Sequence, residues 1–208
     1  GGGIYFAGDG AVVQCTLTDN EAYFGGGIEF DSGGTASNCV IAANLAWEYG
    51  GGADCWGAGR IDNSVIRNNW SGLFGGGVEC WEGGTINNCI ITRNEAEYDG
   101  GGVESYFWET GGEIRNTVIT GNLAGRYGGG VDLWGGGTVD NCTVVDNSAA
   151  YGGGICAYWG GQLRNSIIYY NRAATGPNYY NVSSGFAYIS SCTVPDPGGS
   201  GNITNAPF

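Results

Sequence analysis

Residues 75–98 read GGGVECWEGGTINNCIITRNEAEY, and closely related text recurs along most of the 208-residue chain. Seven glycine triplets mark the recurrence, each 24 to 28 residues after the one before it. The triplets begin at Gly1, Gly25, Gly50, Gly75, Gly100, Gly128 and Gly152. A period of this length is typical of a solenoid, in which each repeat is one structural unit that packs on its neighbours.

Within a repeat the pattern is that of short strands. Residues 85–91 are rich in β-branched side chains and lack a 3.6-residue apolar period, which favours strand over helix. Gly and Asn, which tolerate left-handed bends, separate the strands. Equivalent positions would then stack about 4.8 Å apart in parallel sheets. The sequence predicts an all-β parallel β-helix of about seven coils over residues 1–175, and a degenerate eighth coil with an irregular segment over 176–208.

The repeat resembles those of the right-handed parallel β-helix superfamily. Gly75-Gly76-Gly77-Val78 and Val65-Ile66-Arg67-Asn68-Asn69 are similar to repeats of polymorphic outer-membrane and predicted extracellular bacterial proteins. The likeness is dense over residues 1–175 and loose over 176–208. It implies the fold, its right-handedness and an extracellular or cell-surface location. It does not imply one activity, because the superfamily contains adhesins, fibres, stalks and polysaccharide enzymes.

The composition excludes several classes of function. The chain has no His, Lys or Met, so His-based triads, His metal sites and Schiff-base lysines are ruled out. A net charge of −13 and a pI near 4.1 argue against nucleic acid as a partner. No apolar run is long enough to predict membrane insertion. The missing Met and the opening Gly1 predict a secreted chain processed from a longer precursor.

Alternation along the strand that follows each triplet predicts two outward-facing columns of side chains. The acid column consists of Glu29, Asp54, Glu79, Glu104 and Asp132. The aromatic column consists of Trp56, Trp81, Tyr106, Trp134 and Tyr158. These columns are interpreted as sheet decoration, as a protein contact surface or as a face that binds or cleaves sugars, and the alternatives stay open. No metal or cofactor is predicted apart from calcium on the acid column.

Two columns of Asn recur six residues apart and are predicted to form structural ladders. The bend column contains Asn38, Asn63, Asn88, Asn116, Asn141 and Asn165. The inner column contains Asn20, Asn44, Asn69, Asn94, Asn122, Asn147 and Asn171.

Cysteines occur at equivalent positions of neighbouring repeats. Adjacent coils bring Cα atoms within disulfide range, so Cys15 could bond to Cys39 and Cys55 to Cys80. The alternative is a set of stacked free thiols that serve as small, weakly polar interior residues.

Two functions follow from these patterns. The first is a non-catalytic extracellular structural or adhesive solenoid whose copies stack end to end, since uncapped coils expose unpaired strand edges. The second is a polysaccharide-binding or polysaccharide-cleaving protein that uses the acid and aromatic face. Five equivalent acids lack the asymmetry that paired catalytic acids need, so the sequence favours the non-catalytic alternative without deciding it.

Overall fold

A computed structural model provides the structure of the protein and describes residues 1–106, 111–193 and 202. Within these ranges every regular element is a short β-strand, every strand pair is parallel, and the chain climbs through four sheets in turn. Each of the first five coils contributes one strand to each sheet, and the described residues of the later coils contribute strands to three of the sheets. Neighbours in a sheet are therefore equivalent strands of successive repeats. The predicted all-β solenoid of stacked coils is confirmed.

Three of the sheets, A, B and C, have eight strands each, and sheet D has five. Sheet A contains Ile4–Phe6, Ile28–Phe30, Ala53–Cys55, Val78–Cys80, Val103–Tyr106, Val131–Trp134, Ile155–Ala157 and Tyr179–Asn181. Sheet B contains Ala11–Val13, Thr35–Ser37, Arg60–Asp62, Thr85–Asn87, Glu113–Arg115, Thr138–Asp140, Gln162–Arg164 and Ala187–Ile189. Sheet C contains Thr16–Thr18, Val40–Ala42, Val65–Arg67, Ile90–Thr92, Val118–Thr120, Thr143–Val145, Ile167–Tyr169 and Cys192–Thr193. Sheet D contains Glu21–Phe24, Leu45–Tyr49, Trp70–Ser71, Glu95–Ala96 and Leu123–Ala124.

The predicted segment at 176–208 is only partly described. Three short strands of an eighth coil lie between Tyr179 and Thr193. Residues 194–201 and 203–208 lie outside the described residues. The division of the chain at residue 175 stays a prediction.

The lumen is filled by apolar side chains that point inward from sheets A, B and C. Sheet A contributes two from most strands, as Ile28 and Phe30 do, and sheets B and C contribute the middle residue, as Ile86 and Ile91 do. These side chains are fully buried and form one continuous cluster along the axis. Because each strand buries so few residues, stability comes from stacking coils rather than from any single coil.

Left-handed bends close each coil. In the fourth repeat they are at Asn88, Arg93 and Gly100, with φ of 54°, 54° and 64°. The second and third glycines of a triplet are needed for a different reason, which is the close approach of the next coil. A Cβ on Gly77 would lie 2.5 Å from the carbonyl oxygen of Gly102, closer than real Cβ contacts allow.

The inner Asn column forms a continuous hydrogen-bonded ladder. The backbone N–H and the Nδ2 of Asn69 both donate to Oδ1 of Asn94, at 3.0 and 2.9 Å, and Nδ2 also donates to the carbonyl oxygen of Ile41 at 3.1 Å. The same pattern repeats from Asn44 through Asn147. At the C-terminal end Asn171 donates to Oδ1 of Asn178.

The bend column behaves differently. Its Asn residues adopt φ between 48° and 54°, so their main contribution is the left-handed bend itself. Their side chains lie at the surface, and only scattered amide bonds join coils, such as Asn88 Nδ2 to Asn63 Oδ1 at 2.6 Å. The expectation of a second stacked ladder therefore fails among the described residues, because these side chains face water and other outward groups.

Candidate functional site

The acid column lies on the outer surface of sheet A but is largely shielded from solvent. Strand register places the five side chains directly above one another on successive coils. Glu29 is half-buried and pairs with the N-terminal ammonium group. The other four side chains are at most 2% exposed. The expectation that the column faces solvent is therefore wrong for Asp54, Glu79, Glu104 and Asp132.

Two flanking columns of larger side chains cover the acids. One is the aromatic column, and the other, the turn column, immediately precedes the triplets: Phe24, Tyr49, Phe74, Asp99, Tyr127 and Tyr151. The ring centroids of Tyr49 and Trp81 are 6.1 Å apart and those of Tyr127 and Tyr158 are 5.4 Å apart, so the two columns meet across the acids. Alternation predicts which way a side chain points, but the size of the neighbouring side chains decides whether it is exposed to solvent. An aromatic residue before the triplet is the sequence signal that could have revealed this cover.

Burial raises the pKa of every shielded acid. The pKa of Asp54 is raised to about 7, first by burial and then by the charge of Glu29. Burial is also the first cause of the strong upward pKa shifts of Glu79, Glu104 and Asp132. The next cause is the charge of a neighbouring acid: Asp54 raises the pKa of Glu79, Asp132 that of Glu104, and Asp99 that of Asp132. These shifts favour the neutral carboxylic acid.

One ion pair interrupts the turn column. The buried Asp99 stands where other repeats have an aromatic residue, and Arg126 of the next coil donates from Nε to its Oδ1 at 3.0 Å and from Nη2 to its Oδ2. The backbone N–H of Tyr127 donates to the same Oδ1 at 3.0 Å. The guanidinium carbon also lies 4.8 Å from the ring centre of Tyr127. The loss of an aromatic residue at 99, with an Arg 27 residues later, was the signal for this pair in the sequence.

The aromatic column is a continuous stack. Its successive ring centroids are 5.1, 4.5, 5.3 and 4.7 Å apart from Trp56 to Tyr158. Trp81 therefore has Trp56 on one face and Tyr106 on the other, at interplanar angles of 10° and 22°. A sugar stacks on the face of a ring, and the inner rings of this column have both faces covered. This geometry supports a structural role for the column more than the predicted sugar platform.

The four cysteines with candidate pairings are free thiols. Cys55 and Cys80 are register partners on neighbouring strands of sheet A and both are buried, but neither this pair nor Cys15 and Cys39 is joined by a disulfide. The pairings that the sequence allowed are therefore not formed. Cys39 follows a bend and donates from Sγ to the carbonyl oxygen of Ser37 at 3.2 Å.

Ser64 occupies the same turn position one coil later. Its Oγ donates to the carbonyl oxygen of Asp62 at 2.7 Å and accepts the N–H of Cys39 at 3.0 Å. Cys, Ser and Thr alternate at this position because each is small and can donate to the bend.

A groove of about 790 Å³ runs along the solenoid where sheet A turns into sheet B. Glycines of successive coils form its floor, among them Gly84, Gly136 and Gly160. The larger side chains along it are Glu82, Thr85, Glu113, Thr138, Trp159 and Gln162. This groove was not predicted from the sequence, although the glycines that follow the aromatic column in most repeats are its signal.

Across residues 1–106, 111–193 and 202, no group of three or more Cys, Asp or Glu side chains is placed to hold a metal ion. The same residues contain no helix long and apolar enough to cross a membrane.

These features define a parallel β-solenoid. Its parallel coils are stacked, an Asn ladder is buried within it, and shielded carboxyl groups and stacked aromatic rings line its outer side. The chain belongs to the right-handed β-helix family, because the family model described as a right handed beta helix region matches residues 2–172. This match confirms the fold class and the right-handedness that the repeat text implied. No curated protein and no solved structure matches the chain.

Proposed function

We propose that the chain is a non-catalytic solenoid with a structural or adhesive role outside the cell, and that copies stack end to end. The observation that carries this proposal is that equivalent strands of successive coils pair edge to edge in sheets A, B, C and D. The coil of residues 4–24 contributes the outermost strand of each of these sheets among the described residues. Such edges are templates for pairing with another strand of the same kind.

The interior of that coil is also less covered than the interior of the next one. Phe6 is partly exposed, whereas Phe30 one coil later is fully buried. In the inner Asn ladder, Oδ1 of Asn44 accepts two hydrogen bonds from Asn20, at 3.1 and 2.8 Å, while no such bond reaches Oδ1 of Asn20 within the described residues. A coil of a second copy placed here would extend both the apolar lumen and the ladder.

Charge distribution supports head-to-tail contact over head-to-head contact. Residues 1–59 carry seven acids and no Arg, whereas residues 105–208 carry six acids and four Arg. Joining two acidic ends costs more than joining one acidic end to a less acidic one. A head-to-tail interface that does not close on itself gives an open filament.

The test is sedimentation velocity over a range of concentrations, followed by electron microscopy of the assembled fraction. We expect filaments with an axial repeat of about 38 Å, from eight coils about 4.8 Å apart. Phe6→Asp should abolish assembly by charging the open lumen, and Tyr23→Asp is the matched control because Tyr23 is in the same coil but 68% exposed. A monomer at every concentration contradicts end-to-end stacking.

The acid column gives little support to polysaccharide cleavage. A retaining glycosidase needs two carboxyl groups about 5 Å apart that both reach the sugar. Glu79 and Glu104 are on neighbouring strands, but at 1% and 2% exposure they lie beneath the aromatic cover.

A second candidate function, glycan binding, is favoured by the glycine-floored groove. Its described lining has hydroxyl, amide and carboxylate groups and one exposed indole, and it contains no Arg. Such a surface suits a neutral, hydroxyl-rich linear polymer and repels an anionic one. Glycines on the floor leave room for a chain that lies along the solenoid axis.

Affinity electrophoresis in gels that contain a neutral or a uronate polysaccharide tests this candidate. Trp159 and Trp56 are both 43% exposed, but only Trp159 lines the groove. We expect the neutral polymer alone to retard the protein, Trp159→Ala to reduce that retardation and Trp56→Ala to leave it unchanged. Equal mobility in all gels would reject glycan binding without affecting the proposed assembly.

A further inference from the structure

Four carboxyl groups of the acid column are buried with most of their oxygens unpaired. Asp54, Glu79, Glu104 and Asp132 occupy equivalent positions on adjacent strands. Six of their eight carboxyl oxygens have neither solvent contact nor a hydrogen-bond partner among the described residues. Buried carboxylates without partners are strongly disfavoured, so this arrangement requires an explanation.

The charged surroundings do not neutralise four carboxylates. Glu29 adds a further acid at the N-terminal end, although the N-terminal ammonium group pairs with it. Arg126 is the cation closest to Glu104 and Asp132, and it is already engaged by Asp99.

The remaining titratable neighbours are uncharged near neutral pH. Tyr49 and Tyr158 belong to the cover, and burial raises the pKa of both. Cys156 follows Asp132 in the register, and burial raises the pKa of its thiol. Apart from the N-terminal ammonium group, which pairs with Glu29, the described neighbours of the column supply one cation for four buried acids, and Asp99 shares that cation.

We propose that these four acids form a ladder of neutral carboxylic acids that joins successive coils, and that it opens when rising pH ionises it. A protonated carboxyl has one O–H donor and a free acceptor oxygen, so each rung can donate to the carboxyl group of a neighbouring coil. The ionised form has acceptors only and cannot continue such a chain. The carboxyl proton is thus the hydrogen-bond donor between coils in the acid column, as the amide hydrogens are in the inner Asn ladder.

The sign of the pH dependence follows from the direction of the pKa shifts. Unfolded Asp and Glu titrate near pH 4, and burial raises the pKa of the folded groups, to about 7 for Asp54. The stabilisation is therefore fully present below about pH 4 and is lost as pH rises through the folded pKa values. Opening of this wall would separate the turn column from the aromatic column and loosen the side of the solenoid.

Thermal and urea unfolding of the full chain between pH 4 and pH 9 tests the proposal. We expect the wild-type melting temperature to fall by about 5–10 °C between pH 5 and pH 8. Glu79→Gln keeps the shape and supplies a permanent donor, so its melting temperature should exceed that of the wild type at pH 8 and match it near pH 4. Glu97→Gln removes the same charge from an exposed site of the same repeat and should leave the pH profile unchanged.

Infrared spectroscopy of the wild type gives a readout that does not depend on a variant. A neutral carboxylic acid band should persist at pH 6 and diminish in Glu79→Gln. The proposal is overturned if that band is absent, if the wild type becomes more stable from pH 5 to pH 8, or if both Gln variants shift the pH profile equally. Stabilisation by added calcium at pH 8 that disappears in Glu79→Gln would also overturn it, because the column would then be a cation site.

Discussion

The inner Asn ladder and the acid column are built on the same geometry but differ in hydrogen bonding. Each places one polar side chain per coil, in register and away from water. Asn94 donates to Asn122 and Ile66 and accepts from Asn69, so its amide is fully used. Both carboxyl oxygens of Glu79 lack a hydrogen-bond partner among the described residues. A polar group can stack along a solenoid when it carries both donor and acceptor, and an ionised carboxylate lacks the donor.

Asn94→Asp should have the largest effect on stability, because it places a carboxyl group within the amide ladder. Relative to the wild type at the same pH, we expect a loss of about 4 kcal/mol or more in the free energy of unfolding at pH 8. Part of that loss should be regained towards pH 4, since burial raises the pKa of the new carboxyl and its protonated form has one of the two donors that the amide had. Urea unfolding at both pH values measures the difference.

Asn88→Asp is the matched control for that substitution. Asn88 belongs to the exposed bend column, so the same chemical change should cost no more than about 1 kcal/mol at either pH. Equal losses at positions 88 and 94 would contradict the distinction between the two Asn columns.

Trp81→Ala should have the second largest effect on stability, because it removes part of the aromatic cover above the acid column. Trp81 stacks on two neighbouring rings, and its removal should cost about 3 kcal/mol through lost packing. Water would also reach Glu79, which should lower the pKa of that carboxyl and flatten the fall in stability with rising pH. Trp47→Ala, at a site 53% exposed, should change neither quantity much. An unchanged pH profile in Trp81→Ala would mean that the aromatic column is not what shields the acids.

The sequence predicted the coils well because the information needed is local and repeated. Glycine triplets and Asn bends set the period, and alternation placed the acid and aromatic columns on the outer side of sheet A. The shielding of Glu79 could not be predicted by the same rule, because it depends on Tyr49 and Trp81 from other coils meeting above it. The sequence does distinguish the hydrogen-bonded Asn ladder from the bend column. The inner column is Asn in all seven repeats, whereas the bend column begins with Gln14.

Ser64→Ala should have a smaller effect and extends the comparison to a third column of stacked side chains. The Ser64 hydroxyl donates to Asp62 and accepts from Cys39, so it is satisfied on both sides. Removing it leaves a buried N–H and a carbonyl oxygen unpaired, at a cost of about 2 kcal/mol. Ser64→Cys introduces the side chain found at the same position of neighbouring repeats and should cost less than about 1 kcal/mol. If Ser64→Ala and Ser64→Cys are equally unstable, volume rather than hydrogen bonding governs this position.

Calcium removal should have the smallest effect, and it separates the two interpretations of the acid column. The sequence allowed calcium there because clustered, hydrated carboxylates are the ligands that this ion prefers. A protonated carboxyl is a poor ligand, and burial raises the pKa of Asp54 to about 7 and favours the neutral form of its neighbours. We therefore expect a chelator to leave the melting temperature unchanged at pH 6. A fall of several degrees in the melting temperature at that pH would show that a cation rather than a proton is the partner of the buried carboxyl oxygens. The acid column would then be linked by metal ions, whereas the inner Asn ladder is linked by hydrogen bonds.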